Sequence, residues 1–100
     1  MYIHKDIIRF DWDTVKNNSN FEKHGIWLEE AKTVWTDPHS IELYDVEHSH
    51  EEKRFLRIRY SISQRLLLVV FCERMDGTII RIISSRKATS KEKILYEEGI

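Results

Sequence analysis

Ile79-Ile80-Arg81-Ile82-Ile83-Ser84-Ser85-Arg86-Lys87-Ala88-Thr89 decides the fold of this chain. It reads as an apolar strand that runs out into hydroxyls and cations just before a helix start. Thr89 and Glu92 have the spacing of a capping box, and Gly99 supplies the stop of a closing helix. Upstream, Met75-Asp76-Gly77 predicts a hairpin turn with glycine where positive φ is needed. Before it, Arg65–Arg74 is apolar on both sides, which predicts a central strand covered on each face. In Lys53–Ile62 the even positions Leu56, Ile58, Tyr60 and Ile62 are apolar, and Arg57, Arg59 and Ser61 alternate with them. Period two predicts one buried face and one wet, cationic face. With Ser63-Gln64 as a two-residue turn, Leu67 faces Tyr60 and Glu73 faces Arg54. That opposite-charge pair helps fix register by roughly 0.2–1 kcal/mol.

Toward the N-terminus, Ile41, Leu43 and Asp45 begin another strand, with Val46 close behind, and Glu47–Glu52 is a polar break. Leu28, Ala31, Val34 and Trp35 recur at helical spacing, predicting a helix over Leu28–Thr36 that Asp37-Pro38 ends. A further helix is expected over Thr14–Lys23, with Asp11 or Asp13 as its cap, Trp12 and Val15 near its inner face and Gly25 as its stop. Ile7-Ile8-Arg9-Phe10 is a short strand candidate. The expected fold is α+β: an N-terminal strand, two helices, an antiparallel meander and a C-terminal helix.

One hundred residues suit a single domain spanning 1–100. Hydrophobic residues make up 41% of them, enough to offset the ordering of the chain, so the sequence is globular. The net charge of −1 hides two opposed parts. From Lys53 to Lys93 eleven cations meet three acids, a local charge of +8, and the remainder carries −9. A basic part made of strands predicts a surface that meets phosphate. Cys72 is the sole cysteine and sits in an apolar run, so it reads as a small buried hydrophobe in a reducing cytoplasm. The N-terminal residues lack an apolar run of signal-peptide length, and no stretch reaches membrane-spanning length.

Three scattered glycines exclude a P-loop. His48 and His50 alternate among acids, but a zinc site wants further fixed ligands, so they read as a solvated loop. No metal and no cofactor is expected. The cations can do more. Cleaving RNA needs a base near the 2′-hydroxyl, an acid near the leaving oxygen and cations on the phosphorane. His24, between Lys23 and a helix-ending glycine, suits proton transfer; the bland alternative is that it caps the helix. Arg86 stands just past the strand, where it can clamp a phosphate, with Lys87 adding charge. Arg74 ends the neighbouring strand, its bland reading being a pair with Glu73 or Asp76. Arg81, inside an apolar strand, reads as a structural ion pair. Arg57 and Arg59 offer a general electrostatic footing.

Taken together, the landmarks resemble the BrnT family of bacterial toxins along nearly the whole chain. They are Phe10-Asp11-Trp12-Asp13, Lys16, Asn20, Lys23-His24-Gly25, Leu28-Glu29-Glu30-Ala31, Val34-Trp35, Asp37-Pro38, the acidic-plus-His stretch over 45–52, Arg54, Arg65, Glu73-Arg74 and Ile80 through Ala88. The resemblance implies a RelE-like ribonuclease that stops growth by cleaving RNA. It implies a DNA-binding antitoxin, BrnA, of the ribbon-helix-helix kind, in a heterotetramer that represses its own operon. Operator DNA is then met only through the antitoxin. Carried onto this chain, the catalytic candidates are Lys23, His24, Arg74 and Arg86, with Arg57, Arg59, Arg81 and Lys87 as RNA-binding candidates. His24 or Lys23 would move protons; Arg74 and Arg86 would hold the scissile phosphate.

The chain departs from the family pattern in places. Trp27 stands where a small capping residue is usual, Lys53 where glutamate is, and Arg59 where glycine is; Gln64 often is glycine, and Trp35 replaces a common phenylalanine. The lost cap leaves Trp27 free to pack on the core or on the antitoxin. The acidic segment 47–52 is expected to lie over the basic sheet when RNA is absent. Two rival readings remain: a module that binds antitoxin or nucleic acid in operon autoregulation without cleaving anything, and a structural subunit whose cations merely pair with the acids of the other part.

Overall fold

β5 (Ile79–Lys87), the strand read first, lies between β1 (Arg9–Asp11), which runs parallel to it, and β4 (Leu66–Arg74), which runs antiparallel. β3 (Phe55–Tyr60) and β2 (Ile41–Tyr44) continue the meander, giving the order β1-β5-β4-β3-β2. Helix α1 (Thr14–His24), helix α2 (Leu28–Ala31) with a 3-10 turn over Lys32–Thr36, and helix α3 (Ser90–Glu98) complete the expected α+β architecture. These elements belong to a computed structural model that describes residues 8–36, 40–48 and 52–99. The Asp37-Pro38 helix stop, the start of the 7–10 strand and residues 49–51 of the polar break lie outside the described residues.

Local chemistry sets the helix ends. Asp13 caps α1, its Oδ1 accepting from the Lys16 N–H at 3.0 Å. Gly25 closes that helix at φ 71°, a region where a side chain would be strained. Both bonds of the Thr89–Glu92 capping box are present on α3. The second helix is shorter than its spacing predicts, because it tightens to 3-10 after Ala31. Trp27 gives it no side-chain cap. Asn17 of α1 fills that role across space: its Oδ1 accepts from the Leu28 N–H and its Nδ2 donates to Glu29, both at 2.8 Å.

Helix α1 also corrects an expectation. Val15 does not lie on the inner face; it is 75% exposed, and the buried residues of the helix are Asn17 and Asn20. The reason is that α1 runs along the edge of β5 rather than over an apolar surface. β1 pairs with β5 only as far as Arg81, so backbone groups further along need other partners. Asn20 supplies them. Its Nδ2 donates to the Ser85 carbonyl at 2.9 Å, and its Oδ1 accepts from the Ser85 N–H at 3.0 Å. A third bond, to the Ile26 carbonyl at 2.8 Å, ties the loop after α1 to the same amide.

The β3–β4 hairpin differs from its sequence reading by one residue, and the difference changes faces. Tyr60 pairs with Leu66 and Arg59 with Leu67. The turn therefore has three residues, Ile62-Ser63-Gln64, closed by the Ser61 N–H on the Arg65 carbonyl at 2.8 Å, with Gln64 at φ 62°. Glu73 consequently does not face Arg54. A slip of one residue sends every side chain of β3 to the other side. Phe55 and Arg57 now share the face of Leu67, Val69 and Phe71, whereas Leu56 and Ile58 share that of Leu68 and Val70. The expected wet cationic face is therefore absent. Arg57 is buried, its guanidinium 4.9 Å from the Trp35 ring centroid and ion-paired with Glu42.

On that closed face Ile26, Leu28, Ala31 and Val34 bury Leu67, Val69, Phe71, Ile80 and Ile82. Phe10, Trp35, Phe71 and Phe55 form an unbroken row of ring contacts, 5.3, 4.9 and 5.7 Å between centroids. Helix α3 sits at one end of the open face, seated by the Tyr60–Tyr96 contact.

Candidate functional site

A β-bulge builds the open face. Val70 pairs with Ser84 and Phe71 with Ile82, so Ile83 is an extra residue in β5. In an uninterrupted strand Arg81 and Arg86, five positions apart, would point to opposite sides. The bulge resets the alternation. Ile80 and Ile82 remain in the core, while Arg81, Ser84 and Arg86 pair with Cys72, Val70 and Leu68 of the open face.

Three adjoining hollows lie on this face. The first, 250 Å³, is lined by Lys16, Ser19, Lys23 and His24 of α1 together with Ile83 and Ser84. The second, 200 Å³, is lined by Lys16, Arg54, Arg74 and Arg81, with Asp13 and Glu52. The third, 380 Å³, holds Arg54 and Arg86 with Asp45, Glu47, His48 and Glu92 above an apolar floor. Lys16 and Ile83 wall the first two, Arg54 the second and third, and Ser84 the first and third. The surface is thus continuous but chemically uneven. Among the described residues, the first hollow has no carboxylate in its lining, the second has four cations to two acids, and the third has more acids than cations.

The arginines are held rather than loose. Arg86 donates through Nη1 and Nη2 to the two carboxylate oxygens of Glu92, at 2.8 and 2.9 Å. That bond holds the Glu92 carboxyl below its usual range and raises Arg86. Arg74 is paired with Glu52 at 3.0 and 3.2 Å, not with Glu73 or Asp76, and it holds the Glu52 carboxyl low in the same way. Arg81 is bonded to Asp11 at 2.8 Å, the structural pair its position in the strand suggested. The floor is sealed at Cys72, whose thiol burial pushes up. Carboxylates at Arg74 and Arg86 occupy positions that a phosphate's oxygens could take over, since a guanidinium fork fits either.

The structure therefore brings Lys23 and His24 together in one hollow, Arg74 and Arg81 in the next and Arg86 in the third. His24 is exposed, and its side chain makes no hydrogen bond or ion pair among the described residues, so it does not act as a helix cap. Three RNA-binding candidates lie elsewhere. Arg57 is buried on the closed face. Arg59 donates to the Tyr96 hydroxyl at 3.0 Å. Lys87 pairs across from Leu67, on the side of Glu30.

Sequence reasoning passed over Lys16, Arg54, Ser84 and the pair Asp45–His48. His48 is not merely solvated: its Nδ1 lies 3.1 Å from both carboxylate oxygens of Asp45. The three-residue spacing within a turn was the available signal. His50 lies outside the described residues. No helix among the described residues is long and apolar enough to cross a membrane, and no described cluster of three His, Cys, Asp or Glu side chains could hold a metal ion.

Residues 12–92 match the family described as ribonuclease toxin, BrnT, of type II toxin-antitoxin system. The 1.1 Å crystal structure of the Brucella abortus ribonuclease toxin BrnT superposes with a TM-score of 0.63 at 18% identity, covering 83% of this chain and 99% of that one. At that identity the likeness concerns the fold. No curated protein sequence matches.

Proposed function

Since this chain belongs to the BrnT family of toxins of type II toxin–antitoxin systems, we propose that it is an endoribonuclease that arrests growth by cleaving RNA in the cytoplasm. One observation carries the reading: a continuous open face on which Lys16, Lys23, His24, Arg74, Arg81 and Arg86 line adjoining hollows. Lys16, Lys23 and Arg81 draw in the backbone, Arg86 holds the scissile phosphate, Arg74, six residues along β4 from the partner of Arg86, holds a neighbouring phosphate, and the Lys23–His24 pair moves protons. RNA carries its own nucleophile in the 2′-hydroxyl, so the protein needs only to position, charge-balance and shuttle protons.

A type II toxin has an antitoxin partner, here proposed to be a BrnA-type ribbon-helix-helix protein in a heterotetramer, through which operator DNA is met. An exposed apolar surface supports a partner on the far side of α1. Trp27 stacks on Phe21 at 4.1 Å, both are 40–43% exposed, and Trp27 lines a 700 Å³ groove with Ile62. That surface equally suits the non-catalytic reading, a module that only binds antitoxin in autoregulation.

Purified protein incubated with RNA in EDTA separates the two. Cleavage is expected, and intact RNA in the presence of folded protein overturns the enzyme reading. Arg86→Ala and His24→Ala are each expected to lower cleavage on the order of 10²-fold while the protein stays folded. Undiminished growth arrest by both variants removes these site assignments.

A further inference from the structure

We propose that His48, held by Asp45, is the general base of RNA cleavage, with the scissile phosphate placed over Ser84 between His48 and the Lys23–His24 pair. The proposal rests on the ribonuclease reading and completes it. In-line attack by a 2′-hydroxyl needs a base on one side of the phosphorus and an acid on the other at the same moment. The Lys23–His24 pair lies in a single hollow and supplies one side. Ser84 is the residue that this hollow shares with the one containing His48, so a phosphate above Ser84 has a proton-transfer group on each flank.

The chemistry of the two flanks differs in the direction required. The Asp45 carboxylate, 3.1 Å from His48 Nδ1, fixes the tautomer with the proton on Nδ1 and leaves the Nε2 lone pair to accept. Asp45 is itself anchored, its N–H bonded to the Arg54 carbonyl at 2.8 Å as the ladder enters β3. Among the described residues, the other charged groups around His48 are Glu47, Arg54, Arg86 and Glu92. Among the described residues, the first hollow is lined only by cationic or neutral groups, which suits a proton donor and a developing oxyanion.

The step balances without a co-reactant. His48 Nε2 takes the 2′-hydroxyl proton, O2′ bonds to phosphorus, the P–O5′ bond breaks, and Lys23 or His24 protonates O5′. The products are a 2′,3′-cyclic phosphate and a 5′-hydroxyl. Three arrangements make Ser84 the natural seat. The bulge at Ile83 turns it to the open face, Asn20 locks the neighbouring Ser85 backbone on both sides, and Arg86 is two residues on.

The test compares parent, His48→Ala and Arg86→Ala proteins on a labelled single-stranded RNA of mixed sequence under single-turnover conditions. A 2′-O-methyl version of that RNA, which lacks the nucleophile, measures binding. His48→Ala is expected to cleave about 100-fold more slowly, to bind the 2′-O-methyl RNA within about twofold of the parent, and to regain part of its rate on addition of imidazole. Arg86→Ala is expected to gain nothing from imidazole. A His48→Ala rate within about threefold of the parent overturns the assignment. So does a slow variant, shown folded by its melting curve, whose loss is matched by lost binding and is not rescued by imidazole. A parent protein that leaves RNA intact overturns the ribonuclease reading and this one with it.

Discussion

Arg57 and Arg86 lie two strands apart on opposite faces of the sheet, and each holds a carboxylate. Arg57 is sealed under the Trp35 ring, with 11% of its side chain exposed. Arg86 overlooks a 380 Å³ hollow and keeps 39% of its side chain in solvent. Pairing alone therefore does not separate a structural arginine from one available to a ligand. What covers the pair does. Removing a carboxylate from a sealed arginine leaves a charge without solvent, which is strongly unfavourable. An arginine over an open hollow can exchange a carboxylate for a phosphate and stay solvated in between.

The largest expected effect compares adjacent residues of β4. Phe71 is fully buried on the closed face, in ring contact with Trp35 and Phe55. Val70 is half-buried on the open face. Phe71→Ala should cost about 3–5 kcal/mol of unfolding free energy, and Val70→Ala about 1 kcal/mol. Urea unfolding of both variants checks this. Equal losses would mean that the open face is packed as tightly as the closed one, and the hollows would lose their standing as a place for substrate.

The same contrast shows what the sequence could and could not disclose. Cap, stop and capping box were legible because Asp13, Gly25, Thr89 and Glu92 act on backbone groups within four residues of themselves. The meander was legible from turns and apolar runs. The assignment of faces was not, because it depends on the length of one turn and on one bulge. The alternation in β3 is real, but Gln64 adopts positive φ and lengthens the turn by a residue, and both sides of the strand are covered: Arg57 is buried on the closed face and Ile58 on the other. Similarly, nothing local announces Ile83 as an extra residue; the need to bury Ile80 and Ile82 while filling the edge at Ser85 sets it. Of the site, Lys23, His24, Arg74 and Arg86 were legible as chemistry. Their division among adjoining hollows, and the part of Lys16, Arg54 and His48, came only with the packing of α1 and the turn after β2 against the open face.

Acid titration sharpens the comparison next. Glu30 of α2 accepts from Arg65 Nε at 3.0 Å and from the Ser61 hydroxyl at 2.6 Å, and only 14% of its side chain is exposed. The Arg65 hydrogen bond comes first in holding the Glu30 carboxyl below its usual range, and Ser61 adds to it. A depressed carboxyl gives stability that is whole above its unfolded value and is lost as pH falls through the folded one. Stability should therefore decline below about pH 4.5, the ordinary glutamate value. Glu92 contributes in the same direction through Arg86 and through the Thr89 N–H. Glu30→Gln should flatten this acid limb in thermal melts taken between neutral pH and about pH 3. An unchanged limb would show that the Arg65–Glu30 pair is as weakly coupled to folding as an exposed one.

The smallest expected effect bears on the open face itself. Glu52 occupies the Arg74 fork with both members of the pair almost half exposed. It is the described residue of the acidic segment that lies directly on a cation of the proposed RNA surface, as the separation of charges along the chain suggested. Arg74 keeps the Glu52 carboxyl low, so the pair is charged on both sides at neutral pH. A solvent-exposed pair of this sort is weak. Phosphate offers the same two-oxygen geometry, and a bound RNA releases counterions that a carboxylate does not. Glu52→Gln should then bind 2′-O-methyl RNA about two- to fivefold more tightly at low salt, with the advantage fading as the ions screen it. The slope of log affinity against log salt should steepen by up to about one unit, the contribution of one freed phosphate contact. Unchanged or weaker binding would mean that Arg74 does not meet the backbone. It would then join Arg57 as a structural arginine despite its exposure, and coverage would no longer suffice to sort the two faces.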